Sequence, residues 1–201
     1  MKIIAGTYID PENSARLLNR KYHTPSFKSL NELRLHMQSL DFIPEGDLDD
    51  FGRGSIAVRY SLLAAMFTAG DYGKTLPENT GVSGWNGRGC TAENRRYWQD
   101  FTANGHEAGR GGLFVATLPS IPYCEAAIAL NCHGPASYLQ TERSTQALFR
   151  LLQARPAGLY LIGEIEEQSA CMLLIDTTLP DEDLPDFTTL EELFSHLEKQ
   201  A

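Results

Sequence analysis

Paired cysteines, basic residues and long apolar runs are all scarce in this chain. Its four cysteines, Cys90, Cys124, Cys132 and Cys171, form no CxxC pair. Neither a zinc knuckle nor a disulfide framework is therefore suggested, and the thiols read as reduced and mostly buried. Lysine and arginine number 17 against 26 aspartate and glutamate, a formal net charge of −9. Nucleic-acid affinity rests largely on cations that displace condensed counterions, which makes nucleic acid and anionic membranes poor partners. No stretch approaches the roughly 18 to 20 apolar residues of a membrane span. The start, Met1-Lys2-Ile3-Ile4-Ala5-Gly6, is interrupted too soon for a secretory leader. A cytoplasmic location is the expectation. What is there suffices for a core: 201 residues, 42% of them apolar, fit one domain spanning 1–201 without disulfides or metals.

The pattern along the chain alternates strands with helices. Lys2 to Ile9 reads as a strand, Asn13 to Tyr22 as a short helix, and 23–54 as an irregular insertion in which Leu30, Leu33, Met37 and Leu40 could form a helix of their own. Ser55 caps an apolar helix over Ile56 to Phe67 that ends before Gly70. A strand within Pro77 to Gly84 and a more polar helix from Thr91 to Phe101 follow. Pro122 opens a second apolar helix, Tyr123 to Leu130. Beyond it come a Gly134-Pro135 strand reaching Thr141, a helix from Ser144 to Gln153, strands at Gly158 to Gly163 and Ala170 to Ile175, and an amphipathic helix over 186–199. This order predicts an α/β fold, a mixed sheet of about five strands with helices on both faces.

Few residues suggest chemistry by themselves. The glycine loop Gly84 to Cys90 lacks the lysine of a phosphate-binding loop and the spacing of a dinucleotide fingerprint, and Gly109-Arg110-Gly111-Gly112 precedes an apolar segment rather than a helix. Cys132-His133 has the residue types of a nucleophile and its base, yet adjacent side chains point apart, so a buried thiol beside a surface imidazole is the plainer reading. His23, His36, His106 and His196 lack metal-ligand spacing, and no metal or cofactor is implied. Glu164, Glu166 and Glu167 follow a buried strand, where they read as a solvated loop or as a base at the sheet's carboxyl edge. Arg88, Arg95 and Arg96 form a small basic cluster that reads as a solvated face.

One stretch is more specific. Phe114-Val115-Ala116-Thr117-Leu118-Pro119-Ser120-Ile121-Pro122, an apolar helix, Gly134-Pro135-Ala136-Ser137-Tyr138-Leu139-Gln140-Thr141 and a further helix closely resemble the N-terminal half of the β-ketoacyl synthases, which have the thiolase fold. In that family the order is strand, helix, Gly-Pro strand, a nucleophilic cysteine at a strand-to-helix turn, its helix, and a strand whose place Leu159 to Glu164 would take. The resemblance covers most of the chain and is weak over 23–54.

The departures from the family matter more than the matches. A condensing enzyme holds an acyl chain on a thiolate whose pKa is lowered by a helix N-terminus. Counting from Gly134-Pro135, the family's Thr-Ala-Cys falls on Thr141-Glu142-Arg143, with Ser144 next, and none is a thiol. The family's decarboxylation histidines come from a second half of the fold, which is expected to be absent here. The resemblance therefore implies a pseudo-active site at Thr141, Glu142, Arg143 and Ser144 and a non-catalytic subunit of the chain-length-factor type, known from type II polyketide and aryl-polyene systems. It departs from the polyketide members, which usually carry glutamine at the cysteine position. It implies a ketosynthase subunit as heterodimer partner and an acyl carrier protein as a further one, in fatty acid, polyketide or aryl-polyene biosynthesis. By the same resemblance Gly134, Pro135, Ala136, Ser137, Tyr138, Leu139 and Gln140 form a dimer-interface strand, while Phe114, Leu118 and Ile121 line the partner's acyl tunnel. Two other readings stay open: a stand-alone binding module for acyl groups or acyl carriers, and an acyltransferase using Cys132, Cys124 or another thiol.

Overall fold

A computed structural model describes residues 1–43, 48–86, 89–105, 107, 110–181 and 184–200. Gly87, Arg88, His106 and Gly109, as well as Pro44, Gly46 and Asp47 of the insertion, lie outside the described residues.

Among the described residues seven strands form one sheet: β1 (Lys2–Ile9), β2 (Ala15–Leu17), β3 (Tyr22–His23), β4 (Gly81–Asn86), β5 (Ala136–Tyr138), β6 (Leu159–Ile165) and β7 (Ala170–Asp176). Their order is β3-β2-β1-β7-β6-β4-β5. β4 runs parallel to both β5 and β6, while the pairs β6–β7, β7–β1, β1–β2 and β2–β3 are antiparallel, so the sheet is mixed as expected. The count exceeds five because β2 and β3 occupy the segment that reads as a helix from Asn13 to Tyr22. Asn13 and Lys21 take the left-handed conformation, at φ 56° and 48°, and reverse the chain on either side of β2. A helix cannot hold two such residues.

Helices cover both faces. α1 (Leu30–Ser39), α2 (Ile56–Tyr72) and α5 (Ile121–Ala129) pack with Ala5, Ile9, Val82, Leu161, Met172 and Leu174 on one side. α6 (Thr145–Gln153) and α7 (Leu190–Gln200) pack with Ile3, Tyr8, Ile162, Leu173 and Ile175 on the other. Successive residues of β7 enter the two cores alternately, as the strand period requires. In β1 the alternation slips at the irregularity between Ile3 and Ala5, which is why Ile3 and Tyr8 share a face.

Local signals set the helix ends. Ser55 caps α2, Ser144 caps α6 and Ser29 caps α1, each side chain accepting the backbone N–H three residues on. α2 does not stop before Gly70. It continues to Tyr72 and closes on Gly73 at φ 70°, whereas Gly70 is needed inside the helix because a Cβ there would overlap the Phe42 carbonyl. α3 (Thr91–Asn104) extends a turn past Phe101, and α4 (Gly111–Val115) is a short helix where the glycine pair was expected to precede none. Its ladder starts with the Phe114 amide donating to Arg110 O at 2.9 Å. α7 starts at Leu190, not 186. No helix among the described residues is long and apolar enough to cross a membrane.

Candidate functional site

The turn between β5 and α6 carries Thr141, Glu142, Arg143 and Ser144, as the strand-to-helix order requires. Glu142 is exposed and does not hold the arginine. Instead Arg143 Nη1 donates to Glu164 Oε1 at 3.1 Å and to Glu166 Oε1 at 3.0 Å. Glu164 is not on a solvated loop: β6 extends two residues past Gly163, and Glu164 sits within it at 5% exposure. Its second oxygen accepts the Leu190 amide at 2.7 Å, at the start of α7. Burial raises the Glu164 pKa above the ordinary carboxylate value, against the opposing pull of the Leu190 amide and the Arg143 guanidinium. Three distant segments therefore meet at one carboxylate.

The N-terminus of α6 is fully occupied by this chain. Thr145 N donates to Phe187 O at 3.0 Å, Gln146 N to Asp186 Oδ1 at 3.0 Å, Ala147 N to Ser144 Oγ at 3.0 Å and Leu148 N to Ser144 O at 3.0 Å. Phe187 N returns a bond to Thr145 Oγ1 at 3.1 Å. Free amides at such a helix start would hold an anion or stabilise a thiolate; here each has a partner. The gap enclosed by Trp85, Arg143, Glu164, Phe187 and Leu190 is about 10 Å³, room for one water at most. The 184–189 segment that closes it carries no recognisable sequence signal. Glu164 does carry one: it lies two residues beyond Ile162, on the same face of a strand buried from Tyr160 to Ile165.

β5 is the last strand of the sheet. Val82 N donates to Pro135 O at 3.0 Å and Leu139 N to Gly84 O at 2.7 Å. With the register Val82↔Ala136 and Gly84↔Tyr138, the backbone groups of Ala136 and Tyr138 point off the free edge. Ser137 faces the sheet's interior side, its hydroxyl 2.8 Å from Ser83 Oγ and within reach of Arg155. Gly134 lies against the Asn79 and Thr80 carbonyls, where a Cβ would not fit. Leu139 is buried and Gln140 exposed.

Phe114 and Leu118 are 52% and 41% exposed, and Ile121 is half-buried at the start of α5. The resemblance makes the Phe114 stretch a strand; it is α4 and the turn after it. Phe114 packs edge-on against Tyr97, 6.0 Å between ring centres.

Three of the four thiols are poorly placed for attack, while Cys124 is half-buried. Cys90, Cys132 and Cys171 are buried. Burial pushes the Cys90 and Cys132 thiols up to about 11 and also raises the Cys171 thiol well above its ordinary value. His133 turns its Nε2 to Asn131 Oδ1 at 3.2 Å rather than to its neighbour Cys132.

No protein-family model matches the sequence, and no curated protein is significantly similar to it. Solved structures are. A ketosynthase, ApeO, in complex with its chain length factor, ApeC, from Xenorhabdus doucetiae superposes with a TM-score of 0.58 at 12% identity over 88% of this chain and 78% of that one. The chain shares its fold with that structure. The ishigamide ketosynthase/chain length factor superposes with a TM-score of 0.57 at 13% identity, over 90% of this chain but only 63% of that one. At such identities the likeness concerns the fold, the α/β architecture with helices on both faces of a mixed sheet.

Proposed function

We propose that this chain is a non-catalytic subunit of the chain-length-factor type that pairs with a cysteine-bearing ketosynthase and shapes its acyl tunnel. The observation that carries the reading is the turn at Arg143. Its residues offer no thiol, and the helix dipole that would activate one is spent on Phe187 O, Asp186 and Ser144. Nucleophile and electrostatic donors act as a unit in acyl transfer, and one oxyanion donor alone is worth roughly 10²- to 10³-fold.

Pairing is supported by the free edge of β5, whose outward amides and carbonyls require water or a second strand. An interface built on that edge, on Gly134 to Gln140 and on the exposed Phe114, Leu118 and Ile121 surface would bury on the order of 2,000 Å² or more. An acyl carrier protein is then the donor that the pair shares, in the cytoplasm. Co-expression with a ketosynthase followed by size-exclusion chromatography tests the reading: a stable one-to-one complex is expected, and a chain that stays monomeric beside every ketosynthase offered refutes it. The pair, not this chain, should condense acyl thioesters.

A further inference from the structure

Three helices end on one hollow. The C-caps of α1, α2 and α5 are Leu40, Gly73 and Leu130, and the residues at or just past them, among them Asp41, Lys74 and Asn131, line a space of about 700 Å³. Asp41, Gly73 and Asn131 take the left-handed conformation, at φ 55°, 70° and 52°, so each helix stops sharply there. Gly70 admits the turn after α1 as one wall, with the Phe42 carbonyl where a Cβ would be. Ala69, Leu76 and Leu130 give an apolar floor. A space of this size falls in the range of small-ligand sites.

Four exposed charges stand round it, Arg20 and Lys74 of one sign and Asp41 and Glu78 of the other. Among the described residues none of the four is ion-paired. The two cations are held by rings instead, Arg20 over Phe42 at 4.8 Å and Lys74 over Tyr72 at 5.6 Å, a contact that leaves N–H donors available. The last carbonyls of three helices lack intrahelical partners and add partial negative charge to that of Asp41 and Glu78. A ligand of one sign would meet two like charges whichever sign it carried.

We infer that this hollow binds a small zwitterion, an ammonium and a carboxylate joined by a short aliphatic chain. The ammonium lies toward Asp41, Glu78 and the helix ends, the carboxylate on Arg20 and Lys74, and the chain over the apolar floor. The site is at the opposite end of α5 from Ile121 and needs no ketosynthase, so it stands apart from the pairing reading.

The test is isothermal titration of the isolated chain at low ionic strength, where exposed charges are least screened. The probes share one carbon number and differ in charge: 5-aminopentanoate, the dication cadaverine and the dianion glutarate. Saturable binding of 5-aminopentanoate, tighter than that of the other two, is expected. An Arg20→Gln, Lys74→Gln double variant should turn the preference to cadaverine, and an Asp41→Asn, Glu78→Gln double variant should turn it to glutarate. Each charge removed should weaken 5-aminopentanoate binding by about two- to fivefold, as exposed ion pairs do. Asparagine tolerates the left-handed backbone that Asp41 adopts. Opposite reversals in the two variants are a result that a loosened fold would not give, and circular dichroism and melting temperature check the fold itself. No saturable binding of 5-aminopentanoate, tighter binding of cadaverine or glutarate by the parent chain, or the parent's order of probes in a folded double variant overturns the inference. A chain that binds the zwitterion yet pairs with no ketosynthase refutes only the pairing.

Discussion

Replacing Arg143 with alanine strips one partner from a buried carboxylate, and the structure sets the size of the effect. Glu164 keeps the Leu190 amide but loses its guanidinium. Breaking a fully buried ion pair costs about 3 to 5 kcal/mol. Arg143 is 34% exposed, so solvent already screens part of its charge, and about 1.5 to 3 kcal/mol, the worth of a hydrogen bond to a charged group, is expected at pH 7.5. The pH dependence has a definite sign. Burial already raises the Glu164 pKa, so the folded chain holds that proton more tightly than the unfolded chain. The cost of the ionised form is full above the folded pKa and fades as pH falls through it. Removing Arg143 raises that pKa further, so the deficit of the variant shrinks on acidification, by no more than about 1.4 kcal/mol per pH unit. Urea unfolding of both proteins at pH 7.5 and 5.5, followed by circular dichroism, measures it. A deficit below about 0.5 kcal/mol at both values, or one that grows at pH 5.5, would refute the account of this triad.

Three further outcomes follow from named contacts. Gly84→Ala should yield little soluble protein, because its Cβ would overlap the Gly163 carbonyl and the buried Tyr123 ring; Gly158→Ala, with nothing within 4 Å, should melt within a few degrees of the parent. Iodoacetamide at pH 8 with peptide mass mapping should label Cys124 ahead of Cys90, Cys132 and Cys171, whose burial keeps them protonated; rapid labelling of Cys132 would revive the acyltransferase reading. Ala136→Pro removes an outward-facing amide without touching the bonds to β4, so it should leave the melting temperature in place while weakening the ketosynthase complex by about tenfold, as losing roughly one edge hydrogen bond implies; pull-down titration reads this out.

Much of the fold was legible because its signals are local. Ser55, Ser144 and Pro122 mark helix starts by the bonds they make or spare, and the Leu- and Ile-dense runs at β6 and β7 could only be buried strands. What escaped was decided at a distance. Gly70 reads as a terminator, but it answers to the Phe42 backbone, 28 positions earlier in the sequence and pressed against α2. The three-residue β2 is too short to show a period, and its turns use asparagine and lysine where glycine would have announced them. At the site, the strand-to-helix turn and the missing thiol were visible in the residues. Arg143's true partners were not, because Glu164 and Glu166 lie 21 and 23 residues on and reach it only through the pairing of β6 with β4 and of β4 with β5.

The same short segment thus presents two opposite surfaces. On the α6 side of Arg143 every helix-start amide is satisfied within the chain, and the enclosed gap admits no more than a water. On the β5 side, a few residues earlier, backbone groups are left pointing outward at the end of the sheet. A catalytic turn needs its helix start open to substrate, while its flanking strand may be covered or not. Here the closed part is the one chemistry would use, and the open part is the one another chain would use. Satisfying four amides with Phe187, Asp186 and Ser144 while leaving an edge bare is consistent with the proposed pairing role, and it makes the Ala136→Pro and Arg143→Ala variants separable: the first should act on the complex alone, the second on the fold alone.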